Sequence, residues 1–98
     1  MAANVSFLPA AEADYQETLE WYQTRSAQAA AGFEAAMEVA LQRIADFPEL
    51  APLCDDRHRF YTLRRYPYSV IYRVDEGNVL VVAVAHARRS ASYWQGRD

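Results

Sequence analysis

Seven consecutive apolar residues, Val79-Leu80-Val81-Val82-Ala83-Val84-Ala85, constrain this chain more than any other stretch. The run is too short to cross a bilayer, which takes about 20 residues in a helix. Its valine content marks it instead as a strand buried within a sheet. The character then changes within a few residues, to His86, Arg88 and Arg89 and on to the aromatic pair Tyr93-Trp94.

Helical periodicity precedes that strand. Asn4 to Leu8 reads as a short strand ended by Pro9, a residue suited to a first helical turn. Tyr15, Leu19 and Tyr22, with Thr18 on the same stripe, then predict an amphipathic helix over roughly 10 to 25, with Glu12, Glu17 and Glu20 elsewhere on its surface. Ser26 is placed to cap a second helix, whose apolar face is Phe33, Met37, Ala40, Leu41 and Ile44 and whose polar row is Glu34, Glu38 and Gln42. A link this short makes the two helices an antiparallel hairpin. Pro48 and Pro52 stop the second helix and open a loop that runs through Asp56.

From His58 the period becomes two. Phe60, Thr62 and Arg64 alternate with Tyr61 and Leu63 in a strand from His58 to Arg65; Pro67 breaks it; Tyr68, Val70, Tyr72 and Val74 then alternate with Ser69, Ile71 and Arg73. Asp75-Glu76-Gly77-Asn78 forms a four-residue hairpin turn into the apolar strand, and Ser90 is placed to cap a short terminal helix carrying Tyr93 and Trp94. The predicted order is β-α-α-β-β-β-α, a single α+β domain over residues 1–98. A helical hairpin packs on one face of a mostly antiparallel sheet and leaves the other face concave or exposed. Arg64, Arg73, His86 and Arg88 are expected to collect around that second face or its rim.

Composition narrows the function classes. The one cysteine, Cys54, has no partner within the chain, and no Cys/His spacing matches a zinc site. Gly-rich phosphate loops and Ser-His-Asp arrangements are likewise missing from the sequence. Met1 to Val5 lacks the basic start and apolar stretch of a signal peptide, so a soluble cytoplasmic protein is expected. The charge is divided. Residues 1–56 carry ten acidic side chains against Arg25 and Arg43, a local net charge of −8, and residues 57–98 carry eight arginines against Asp75, Glu76 and Asp98, a local net charge of +5. The second half thus suits an anionic partner.

Two chemistries fit the His86 region. A histidine with arginines and a tyrosine can perform acid–base work on a phosphodiester, moving a proton near neutral pH while guanidiniums hold the phosphate charge. Alternatively His86 closes the sheet by bonding a backbone carbonyl, and the arginines are solvated ion pairs. For Tyr68, Tyr72 and Trp21 packing within the fold is the expected role.

The order of elements, the first helix "EADYQETLEWY", the break "FPELAP", the strand "YPYSVIYRV" and the closing "HARRSASYW" together resemble the RelE/ParE superfamily, the toxins of bacterial type II toxin–antitoxin pairs. The resemblance spans nearly the whole chain. It implies a growth-arresting, plasmid-stabilising type of toxin neutralised by an antitoxin from the same operon, which alone would link it to operator DNA. It implies no cofactor, no metal and no membrane. Carried over by position, the RelE-like cleavage set would place lysines at Phe60 and Thr62, arginines at Arg64, Ser69 and Arg88, and an aromatic at Tyr93 or Trp94. Three of those cationic positions are uncharged here. The resemblance therefore points to a ParE-like inhibitor that binds DNA gyrase, with Arg64, Arg73, Arg88, Arg89, Tyr93 and Trp94 facing the target or the antitoxin. The alternative is a ribosome-dependent mRNA endonuclease in which Arg64, His86, Arg88 and Tyr93 act as acid, base and phosphate clamp.

Overall fold

The apolar run lies where a doubly buried strand must lie, in the interior of the sheet. A computed structural model describes residues 2–98 as strand β1 (Val5–Phe7), helices α1 (Pro9–Gln23) and α2 (Ala27–Asp46), and strands β2 (His58–Thr62), β3 (Tyr68–Asp75) and β4 (Asn78–His86), followed by a 3-10 turn (Ala91–Tyr93). The sheet order is β1-β4-β3-β2, with β1 parallel to β4 and the other pairs antiparallel. No helix among the described residues is long and apolar enough to cross a membrane.

Each helix begins where its sequence dictates. Pro9 opens α1, and the Ser26 side chain accepts from the Ala29 N–H at 3.1 Å to cap α2. The hairpin buries Ala11, Phe33, Met37, Ala40 and Ile44 against Val70, Tyr72, Val79, Val81 and Val84 of the sheet. Tyr72 is fully buried, and its hydroxyl donates to the Pro48 carbonyl at 2.7 Å, so the phenol has the partner that burial demands.

Two elements end differently from the sequence expectation. β2 stops at Thr62 instead of Arg65, because Arg65 takes a left-handed backbone with φ of 68° and turns the chain toward β3. The terminal helix is a single 3-10 turn, capped as expected by Ser90, whose Oγ accepts from the Ser92 N–H at 3.3 Å.

The second face of the sheet is not open. Trp94 packs there on Ile71, Val82, Ala83 and Ala85, with Phe60 and Tyr93 beside it. A β-bulge prepares this face. Tyr72 pairs with Val81 and Ile71 with Ala83, so Val82 is an extra residue in β4. Val79 and Val81 face the helices, Val82 and Ala83 both join the second face, and Val84 returns to the helices.

One close approach inside the hairpin is specified by a glycine. Tyr66 donates to the Ala29 carbonyl at 3.0 Å, with its ring edge-on to Tyr22 and Phe33, and its hydroxyl occupies the space where a Cβ on Gly32 would stand. The ring carbon Cζ lies 3.5 Å from that position, an ordinary contact. Gly32→Ala is expected to destabilise the wild type by about 1–3 kcal/mol through overpacking. In a Tyr66→Phe background the same change should stabilise by up to ~1 kcal/mol, the helix-propensity gain of alanine over glycine. Urea denaturation of the four proteins in this cycle checks the reversal of sign.

Candidate functional site

β1 is too short to cover β4. Its register ends at Phe7 opposite Val81, the Leu8 N–H reaches the Val81 carbonyl at 2.9 Å, and beyond that point the flank of β4 has no strand beside it. Side chains take the place of the missing strand. Arg97 donates to the Val82 carbonyl at 3.1 Å, the Val84 N–H donates to Asp14 Oδ2 at 3.1 Å, and the Tyr93 hydroxyl donates to the Val84 carbonyl at 3.1 Å. Arg97 and Asp14 also pair through two guanidinium nitrogens, at 2.8 and 3.4 Å. An exposed strand edge invites pairing with another chain, and this one is closed from within.

Tyr93 stands at the centre of the cap. The Arg89 guanidinium lies 3.7 Å from its ring centroid and the Arg97 guanidinium 5.0 Å. Burial, with the Asp14 carboxylate adding to it, pushes the Tyr93 phenol up to about 12. Such a phenol neither gives nor takes a proton readily near neutral pH.

His86 closes β4 in a different way from either sequence expectation of its bonding. Its Nδ1 accepts from the Arg88 N–H at 3.0 Å, which assigns the ring proton to Nε2, and its ring stands edge-on to Tyr68 at 5.0 Å. Tyr68 packs on the helix-side core, so His86 is on the helix side of the sheet. Arg73 is on the other side, in register with His58 and bonded to Asp98 Oδ1 at 3.3 Å. Trp94 is buried over that same face, edge-on to His58 at 5.2 Å. Arg64 is exposed on the flank of the molecule and lines a groove of about 430 Å³ with Ala36, Val39, Ala40, Arg43 and Tyr61. Arg88 is exposed at the end of β4.

The expected gathering of Arg64, Arg73, His86 and Arg88 around one face is therefore corrected by the structure. The bulge turns His86 toward the helices, strand alternation turns Arg73 away from them, and the segment 91–98 fills the face where they were expected to meet.

Sequence reasoning passed over Asp14, Arg97, His58 and Asp55. Asp14 had a signal: it lies three residues after Ala11 and four before Thr18, the two buried residues of α1. His58 is buried, and its Nδ1 lies 2.8 Å from Asp55 Oδ2. Asp55 also accepts from the backbone N–H groups of Arg57 and His58, at 2.9 and 2.6 Å. These bonds, the one from Arg57 foremost, hold the Asp55 carboxyl down at about 2.

Comparison with known proteins identifies the arrangement. The family model described as the ParE toxin of the type II toxin–antitoxin system parDE matches residues 5–91. This chain belongs to the ParE toxin family. Among solved structures it is similar to the chromosomal ParDE toxin–antitoxin system from P. aeruginosa, with a TM-score of 0.76 and 15% identity over 89% of this chain and 98% of that one. It is also similar to an arginine-to-alanine mutant of E. coli toxin RelE in the free state, with a TM-score of 0.59 and 19% identity over 95% of this chain and 92% of that one. Comparison with curated protein sequences gives no significant match.

The cap makes three predictions. Asp14→Ala strips Arg97 and the Val84 N–H of their partner and is expected to cost about 3 kcal/mol in urea denaturation. Tyr93→Phe loses one hydrogen bond and should cost ~0.5–1.5 kcal/mol. The folded state holds the Tyr93 phenol neutral, so its contribution is complete below the ordinary tyrosine value and is lost as the pH rises through about 12. Absorbance titration at alkaline pH should show one late-ionising tyrosine, missing from Tyr93→Phe. Asp55 has the opposite sign. Its contribution is present above the ordinary aspartate value and disappears as the pH falls toward about 2. Asp55→Asn should flatten that acid limb of the stability curve.

Proposed function

We propose that this ParE-family chain arrests growth by binding DNA gyrase and is held inactive by an antitoxin encoded in the same operon. One observation carries the reading: of the four side chains in the endonuclease alternative, the two that would move protons, His86 and Tyr93, are committed within the fold. Tyr93 caps Val84, and His86 fastens the 86–88 turn. Arg64, Arg65 and Arg88 are exposed and make no side-chain hydrogen bond or ion pair among the described residues, which suits docking on an acidic surface.

The antitoxin reading rests on the flank groove. Its floor of Ala35, Ala36, Val39 and Ala40 is apolar, and Val39 is half exposed. Arg43 and Arg64 stand on its rim. A segment with apolar side chains and flanking carboxylates fits this lining.

Two experiments test the proposal. Purified toxin is expected to inhibit gyrase supercoiling and, on expression, to induce the DNA-damage response while ribosome-bound mRNA stays intact. Primer extension that shows A-site cuts without any gyrase effect would replace this reading with the endonuclease one. In the same assays His86→Gln should stay toxic, because a general acid or base contributes roughly 10²- to 10⁴-fold and a binding surface needs no such group. Arg64→Ala and Arg88→Ala should each weaken inhibition about two- to fivefold, the worth of an exposed ion pair, and the effect should shrink with added salt.

A further inference from the structure

Three large apolar side chains stand in water on the loop after α2: Phe47 is 61% exposed, Leu50 70% and Leu53 50%. With Val74 and Gly77 they line two adjoining grooves of about 470 Å³ each, at the end of the sheet where the β3–β4 turn lies. Carboxylates surround them. Asp46, Glu49, Asp56 and Glu76 line the grooves, and Asp75 is in the same turn. Two arginines stand among these carboxylates: Arg59 donates to the carbonyls of Glu49 and Ala51 at 3.0 and 2.7 Å, and Arg57 donates to the Asp98 main-chain oxygen, which leaves the end of the sheet with more carboxylates than cations. Glu49, Asp56, Asp75 and Glu76 have no side-chain partner among the described residues. An apolar centre within a charged rim is the anatomy of a protein interface.

Its complement is at the other end of the same molecule. The register places Tyr68 and His86 opposite the end that holds Asp75 and Asn78, and Arg65 and Arg88 flank Tyr68 and His86 in sequence. The Ala87 N–H bonds the Pro67 carbonyl, which ties the two arginine segments together. Tyr22 stacks edge-on to Tyr66 and Tyr68, which brings the last turn of α1 to this end. That turn presents Trp21, 48% exposed, with the Arg25 guanidinium 3.7 Å over its ring. The arginine end therefore offers cations around an exposed aromatic, and the loop end offers carboxylates around exposed apolar side chains.

We infer that the loop end, Phe47, Leu50 and Leu53 within their acidic rim, docks the arginine end of a second copy of this chain. The contact is heterologous, using two different patches, so copies add head to tail instead of closing as a symmetric pair. It joins only the ends of a small domain and so belongs to the weak class below ~1,200 Å². It would also cover Arg65 and Arg88, which the proposed function gives to the target.

Sedimentation equilibrium of the purified toxin tests this without reference to gyrase. Between roughly 10 and 300 µM at low salt, the mass is expected to rise from that of the monomer to at least twice it, as suits a weak interface. In about 0.5 M NaCl it should return toward the monomer, because screening then acts within ~5 Å. A loop-end variant, Glu49→Arg with Leu50→Arg, and an arginine-end variant, Arg65→Glu with Arg88→Glu, should each remain monomeric alone. All four positions are exposed, and circular dichroism checks that both variants fold. Mixed in equal amounts, the two variants retain one intact patch of each kind and should give a species of at least dimer mass. A wild type that stays monomeric throughout, or a mixture that stays monomeric, overturns the inference.

Discussion

The ion pair between Asp14 and Arg97 is the contact on which the rest of the arrangement depends. It forms where β1 runs out, and the same carboxylate that holds the guanidinium also accepts the Val84 N–H. Arg97 in turn reaches the Val82 carbonyl, so one pair satisfies two backbone groups of an otherwise open edge. Fixing Arg97 fixes the segment before it. Tyr93 is held over Val84, and Trp94 is laid across the second face. Asp14 is nearly as buried as the strand it serves, with 11% of its side chain exposed, so the pair has the low-dielectric surroundings in which a lost partner is costly.

The bulge at Val82 does the complementary work on the sheet itself. An unbroken alternation counted by twos from Val79 would send His86 to the face away from the helices. The extra residue reverses the count, and His86 meets Tyr68 on the helix side. β3 has no such insertion, so Ile71 and Arg73 stay on the opposite face. A single additional residue thereby decides that the histidine and Arg73 work on different surfaces.

Local patterns in the sequence were enough for the elements and their order. The stripe of Tyr15, Thr18, Leu19 and Tyr22, the cap at Ser26, the alternation through Tyr68 to Val74 and the turn at Asp75 to Asn78 each depend on neighbours within a few positions, and each stands in the structure. What escaped depends on distance along the chain. Val82 is a bulge only relative to the register of β3. Trp94 and Arg97 are core and cap residues only because the segment folds back over strands that precede it. Arg73 and Arg88 look equivalent as arginines near strand ends, and only the faces they occupy separate them. A residue type announces its chemistry; its direction comes from the pairing of the sheet.

The Asp14–Arg97 pair also closes a loop of 83 residues, the longest sequence separation among the side-chain hydrogen bonds of the described residues. Loop-closure cost grows only slowly with span, and the β1–β4 pairing and the Val84–Asp14 bond already bring Asp14 to the flank of β4, so Arg97 closes a much shorter effective loop. Arg97 and Tyr93 both follow the four strands in the chain. Until their segment folds back, the flank of β4 at Val82 and Val84 has its Asp14 acceptor but neither the arginine nor the phenol that completes the closure. A chain whose last residues are undocked therefore offers an open strand edge that the complete fold hides.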